Sequence, residues 1–182
     1  LMKPHMSVGI PVHQGASTRA TLLRSVLASD DADFEVVVSD NGSTDGTGEV
    51  VAQFDDPRIR YVRSDETVPL PQNWQAAVEQ ARGELIKVVC ADDLIHPSCL
   101  ASQAAALESP SVSLVACRRN PLDGDGQVLT RGAGLPHLLG TRPAPEVATV
   151  TVRYGIHPVG ESAVGMFRRR AFHGNGGVDG SV

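Results

Sequence analysis

The sequence predicts an α/β fold: a Rossmann-like, mostly parallel central sheet flanked by helices. Two observations carry that prediction. Short apolar runs alternate with segments of helical periodicity in the order β-α-β-α-β-α-β-α-β, the signature of a helix-covered parallel sheet. The runs also stop at Pro11 to Gln14, at Asp40 to Asp45 and at Cys90 to Asp93, three strand ends of the kind where such sheets place their ligands.

Each element has its own reason. "SVGIPV" (7–12) is a short β-branched run and reads as a buried strand. In "STRATLLRSVLAS" (17–29), Leu22, Leu23, Val26 and Leu27 fall at helical spacing, with Ser17 or Thr18 placed to cap. "FEVVVS" (34–39) is the second strand, and "DGTGEVVAQF" (45–54) a helix weakened by two glycines. "RIRYVR" (58–63) alternates like a half-exposed strand. "PQNWQAAVEQAR" (71–82) opens on Pro71 and stops at Gly83, and "ELIKVVC" (84–90) is again a strand. "PSCLASQAAALE" (97–108) is a helix, "SVSLVACR" (111–118) a strand, and "LDGDGQVLT" (122–130) a turn feeding a short strand. From about residue 131 Gly and Pro accumulate and periodicity fades, which reads as loop carried by the same domain.

The 182 residues suit one domain: residues 1–6 as an expression remnant, 7–118 as one half and 119–182 as the other, with glycines at the end as if cut off. A net charge of −5 argues against a nucleic-acid binder. Cys90, Cys99 and Cys117 lack Cys-x-x-Cys spacing and read as reduced cysteines of a cytoplasmic protein. No run reaches the roughly 18 apolar residues of a membrane span; a membrane anchor beyond either end stays open.

Two stretches carry candidate chemistry. In "SDNGSTDGT" (39–47), capping the next helix accounts for Ser43 to Asp45. It accounts less well for Asp40 and Asn41, and Asp40 at a strand end can accept from a ligand N–H. In "KVVCADDLIHP" (87–97), the adjacent carboxylates Asp92 and Asp93 follow a buried strand, an arrangement that a hard divalent cation, Mg²⁺ or Mn²⁺, would stabilise. The bland alternative has Asp93 capping a helix and Asp92 solvated. "GESAVG" (160–165) lacks the second glycine of a nucleophile elbow, the histidines are scattered, "RRR" (168–170) reads as a solvated basic cluster, and Trp74 as core.

In order, "SVGIPVHQGASTRATLLRSVL", "FEVVVSDNGSTDGT", "NWQAAVEQARGELIKVVCADDLIHPSCL" and "GMFRRRAFHGNGGVD" resemble the family 2 glycosyltransferases of GT-A fold, over most of 7–118 and again over 156–180. The resemblance implies an inverting transfer of sugar from a nucleoside-diphosphate donor, UDP-type in the first instance, to a sugar, lipid or protein hydroxyl. It implies that Pro11, Val12 and His13 line the nucleobase pocket, His13 replacing a common Tyr, and that Asp40 accepts from the base. Asp93 would bind the metal on the diphosphate, and Asp92 the ribose or the metal shell.

Two departures matter. Positions 90 and 91 are Cys and Ala where the family often has another acid, which weakens the expected metal site. The family's catalytic base usually follows the "GGVD" element, and the sequence stops at Val182; Glu161 and Asp179 are nearby carboxylates, and neither is assigned as base. Two other functions stay open: a non-catalytic nucleotide-sugar-binding module, and a sugar-phosphate nucleotidyltransferase, for which "HQGAST" supplies one Gly and no Lys.

Overall fold

In a computed structural model the chain is described over residues 3–30, 33–90, 92–134, 139–154 and 162–178. The elements are β1 (Met6–Val12), α1 (Ala16–Leu27), β2 (Phe34–Asp40), α2 (Thr47–Ala52), β3 (Ile59–Arg63), α3 (Leu70–Glu79), β4 (Leu85–Val88), α4 (Cys99–Ala106), β5 (Leu114–Ala116), α5 (Ala144–Tyr154), β6 (Gly165–Arg168) and α6 (Arg169–Gly174). They build one sheet of order β3-β2-β1-β4-β6-β5. β1, β2, β3 and β4 pair in parallel, and β6 runs antiparallel to both β4 and β5. The mostly parallel α/β fold is therefore as expected.

The apolar runs became central strands because both of their faces are covered: every residue of β1 and β2 is buried. α1 covers one face with Leu22, Leu23 and Val26, and α3 brings Ala77 and Val78. α3 stops at Glu79, short of Gly83, and Gly83 is glycine for another reason: nothing larger fits against β1. A Cβ there would stand 2.6 Å from the Met6 carbonyl carbon, and its N–H donates to Ser7 Oγ at 2.8 Å. Strand order reverses around β1, which has β2 on one side and β4 on the other. The crevice beyond the carboxyl ends of these strands is a topological switch point.

The later chain differs from expectation. Residues 122–130 form no strand; Leu122 and Val128 make an isolated bridge. The segment after 131 is not simply loop: it supplies α5, β6 and α6, and β6 sits inside the sheet between β4 and β5. Nor is Arg168 solvated. It is 7% exposed and donates to Glu84 Oε1 at 2.9 Å, to the Val112 carbonyl at 3.0 Å and to the carbonyls of Leu107 and Ser109. Trp74 is half-buried. Among the described residues no helix is long and apolar enough to cross a membrane.

Candidate functional site

The turn after β2 does more than cap the helix that follows it: Asp45 Oδ1 accepts the N–H of Thr47, the first residue of α2, at 3.1 Å. Gly46, at the N-cap of α2 with φ of 90°, offers no side chain of its own for that purpose. The polar residues also turn back to the start of α1. Gln14 N–H donates to Ser43 Oγ at 2.9 Å, Gly15 N–H to Thr47 Oγ1 at 3.0 Å, and Ala16 N–H to Asp45 Oδ2 at 2.9 Å. α1 begins at Ala16 with Gly15 at its N-cap, so neither Ser17 nor Thr18 is the cap. The first amides of a helix need partners, and here they come from another loop. The Thr47 hydroxyl and the Ala16 amide hold Asp45 below the usual carboxylate range.

Val12 and Asp40 lie side by side at the ends of β1 and β2. Asp40 is 1% exposed; its Oδ1 accepts from Ser43 N–H at 2.9 Å and its Oδ2 from the Tyr61 hydroxyl. Desolvation first, and then the bond to Asp40, push the Tyr61 hydroxyl up to about 12, so it stays a donor. Asn41 clamps the next wall: its Oδ1 accepts from Val68 N–H at 2.8 Å and its Nδ2 donates to the Val68 carbonyl at 2.7 Å. Buried Asn73 of α3 ties the two strand ends together, accepting from Ser39 Oγ and donating to the Val12 carbonyl. Pro11 and Val12 are buried, whereas His13 is exposed and its Nδ1 lies 3.0 Å from the Asn41 carbonyl. A carbonyl only accepts, so Nδ1 carries a proton and Nε2 is left facing outward.

One residue of this region escaped the sequence reading. Arg19 of α1 is 0% exposed, and Nε, Nη1 and Nη2 have no hydrogen-bond partner. It lies under the β1–α1 turn, where a Cβ on Gly15 would stand 2.3 Å from Nη2. Burial lowers its pKa, opposed by the charges of Asp40, Asp45 and Cys90, which belong to the three segments that rim the crevice. A buried guanidinium without partners is costly in an empty fold. The signal was legible: Arg19, Leu22, Leu23 and Val26 follow i, i+3, i+4, i+7, so Arg19 occupies a core-facing position.

At the end of β4, Asp92 is exposed and Asp93 half-buried, with Asp93 N–H donating to the Cys90 carbonyl at 3.2 Å. α4 starts only at Cys99, with Ser98 at its N-cap. Among the described residues no group of three or more His, Cys, Asp or Glu converges. Two adjacent oxygen donors without a third suit Mg²⁺ or Mn²⁺, which complete their shells with water and phosphate oxygens; a cysteine at 90 adds nothing for so hard a cation. Glu161 and Asp179 lie outside the described residues.

Comparison with known proteins fits this architecture. The model of the family described as "Glycosyl transferase family 2" matches residues 7–174. The uncharacterized protein MT1568 of Mycobacterium tuberculosis is 31% identical over 177 residues, covering 92% of this chain and 54% of that protein. The poly(ribitol-phosphate) beta-N-acetylglucosaminyltransferase TarS of Staphylococcus aureus is 27% identical over 153 residues, or 81% of this chain and 25% of TarS. Among solved structures, the mannosyltransferase PcManGT from Pyrobaculum calidifontis, in complex with GDP-Man and Mn²⁺, superposes with a TM-score of 0.71 at 22% identity, over 100% of this chain and 49% of that one. TarS 1–349 in complex with UDP-GlcNAc gives 0.69 at 23% identity, over 93% and 47%. The chain thus spans about half the length of these relatives, or less.

Proposed function

The chain belongs to glycosyl transferase family 2, and from that membership we propose that it carries the donor site of an enzyme transferring sugar from a nucleoside diphosphate to an acceptor hydroxyl, with inversion at the anomeric carbon. The observation that carries this reading is the crevice itself: buried Asp40 and the adjacent Asp92 and Asp93 stand at its strand ends, and the unpartnered Arg19 guanidinium is buried beneath its β1–α1 turn. In this reading 7–118 form the donor half and 119–182 part of the acceptor side.

Each group has a task. Asp40 receives one hydrogen bond on each oxygen, which leaves lone pairs for an N–H of the base. Pro11 and Val12 back the base, and His13 presents its ring and Nε2 at the mouth. Arg19 offers its unused N–H groups to oxygens of the nucleotide. Asp93, with Asp92 in the shell or on the ribose, would hold Mg²⁺ or Mn²⁺ on the diphosphate. When bound, such a cation offsets the charge that builds on the leaving nucleoside diphosphate. The acceptor's proton needs a carboxylate base, and none is assigned among the described residues.

Donor identity is left between uracil and guanine nucleotides: the solved relatives hold UDP-GlcNAc in one case and GDP-Man in the other. One observation counts against the nucleotidyltransferase alternative. Such an enzyme would cradle phosphate on the amides after β1, but Gln14, Gly15 and Ala16 give theirs to Ser43, Thr47 and Asp45. Calorimetric titration with UDP, GDP and dTDP, each with and without Mn²⁺, tests the proposal. Metal-dependent binding of one nucleotide is expected; binding of none would overturn it.

A further inference from the structure

Cys99, the first residue of α4, and Cys117, the residue after β5, flank Gln103 and the Val164 carbonyl beside the antiparallel edge of the sheet. They share a polar frame. Cys99 Sγ lies 3.6 Å from Gln103 Oε1, and Cys117 Sγ 3.4 Å from the Val164 carbonyl. Gln103 spans these two points, donating to the Val164 carbonyl at 2.8 Å, and its Oε1 accepts from buried Lys87 Nζ at 2.9 Å. Lys87 is fixed in turn by the Ala163 carbonyl at 2.6 Å. Cys117 is exposed and Cys99 half-buried, so one sulfur meets solvent while the other waits behind it.

We propose that Cys99 and Cys117 form a reversible dithiol–disulfide site, oxidised by low-molecular-weight disulfides. The Cys117 thiolate attacks one sulfur of the reagent and expels a small thiolate, giving a mixed disulfide. Cys99, losing its proton to solvent, attacks Cys117 Sγ, and the second small thiolate leaves. In sum, the protein dithiol and one disulfide give the protein disulfide and two small thiols, two electrons passing to the reagent. Microenvironment favours this order. The neighbouring Cys99 and the Lys87 ammonium lower the Cys117 pKa, whereas Cys117 and burial raise that of Cys99. The cross-link would tie the first turn of α4, just beyond Asp92 and Asp93, to the end of β5.

The test is equilibration of the chain with oxidised and reduced glutathione at graded ratios, followed by acid quench, alkylation and peptide mapping. The expected product has lost two hydrogens in mass, carries a Cys99–Cys117 cross-linked peptide and retains an alkylatable Cys90; excess reduced glutathione restores all three thiols. The Cys99→Ser variant should stop at a mixed disulfide on Cys117, and Cys117→Ser should leave Cys99 largely unmodified. Cross-links through Cys90, intermolecular dimers, or a parent chain that stops at stable mixed disulfides would overturn the proposal.

Discussion

Asp45 caps a helix that begins 29 residues before it: its Oδ2 accepts the N–H of Ala16, the first residue of α1, at 2.9 Å. The polar turn after β2 thus fastens the loop after β1, and the two loops that rim the crevice are held as one unit. Loss of this cap should loosen the site as well as the helix.

Asp45→Ala is therefore expected to lower the thermal midpoint at neutral pH and to weaken nucleotide binding. The Asp45 pKa is depressed, so its contribution is present above the unfolded value and fades as pH falls through the folded one. The difference in midpoint between parent and variant should stay constant down to about pH 5 and close below about pH 4. A difference unchanged at low pH would mean that the carboxylate is not the stabilising form.

Tyr61→Phe removes the hydroxyl that Asp40 uses. A buried carboxylate left one donor short should cost about 1–3 kcal/mol in denaturant unfolding. With the Tyr61 pKa raised to about 12, that contribution is full below pH 10 and lost as pH rises through about 12. Ultraviolet titration should show a tyrosine ionising near pH 12, and that step should be missing in the variant.

Much of this was legible in the sequence, and the reason is locality. The apolar runs at 7–12, 34–39 and 84–90 became β1, β2 and β4 because strands covered on both faces are mostly apolar, here interrupted only by buried polar residues such as Ser7, Glu35 and Lys87 that find partners. The crevice was legible as well, because ligand crevices of open α/β sheets follow the carboxyl ends of strands. What escaped was non-local. Nothing near Ala16 announces that its partner is Asp45, and Ser17 and Thr18 offered a nearer cap. β6 is four residues within a Gly- and Pro-rich stretch, with too short a period to stand out. Arg168 read as part of a solvated cluster, yet its long stem carries the charge to carbonyls deep in the sheet.

Arg168→Met tests the reading of that buried arginine. It removes a fork serving three carbonyls and Glu84, and unfolding in urea should show a loss of about 3 kcal/mol. Arg168→Lys should recover little of it, because one ammonium cannot reach so many planar acceptors. Near-complete recovery by lysine would show that charge alone is used.

Arg19→Leu separates stability from binding. The guanidinium is buried without partners, so an apolar side chain of similar reach beside Leu22 and Leu23 should raise the unfolding free energy by about 1–3 kcal/mol. If Arg19 serves the nucleotide, the same change should weaken calorimetric affinity by roughly tenfold, the worth of one good charged hydrogen bond. Stability and affinity moving in opposite directions supports a binding role; a fall in both would make Arg19 a structural residue.

Asp93 and Asp92 should differ in consequence although they are neighbours in sequence. Asp93 is half-buried at the end of β4 and anchored by its own amide to the Cys90 carbonyl, whereas Asp92 is exposed. A fixed ligand has less freedom to lose on binding a cation than an exposed one. Asp93→Ala should thus abolish the metal-dependent part of nucleotide affinity, and Asp92→Ala should reduce it by roughly tenfold. Cys90→Asp, which supplies an oxygen donor where the chain has sulfur, should raise Mn²⁺ affinity. Mn²⁺ titration by electron paramagnetic resonance, with and without nucleotide, reads all three. Equal effects from both alanine variants would place the two carboxylates in the same role, and no effect from either would remove the cation from the site.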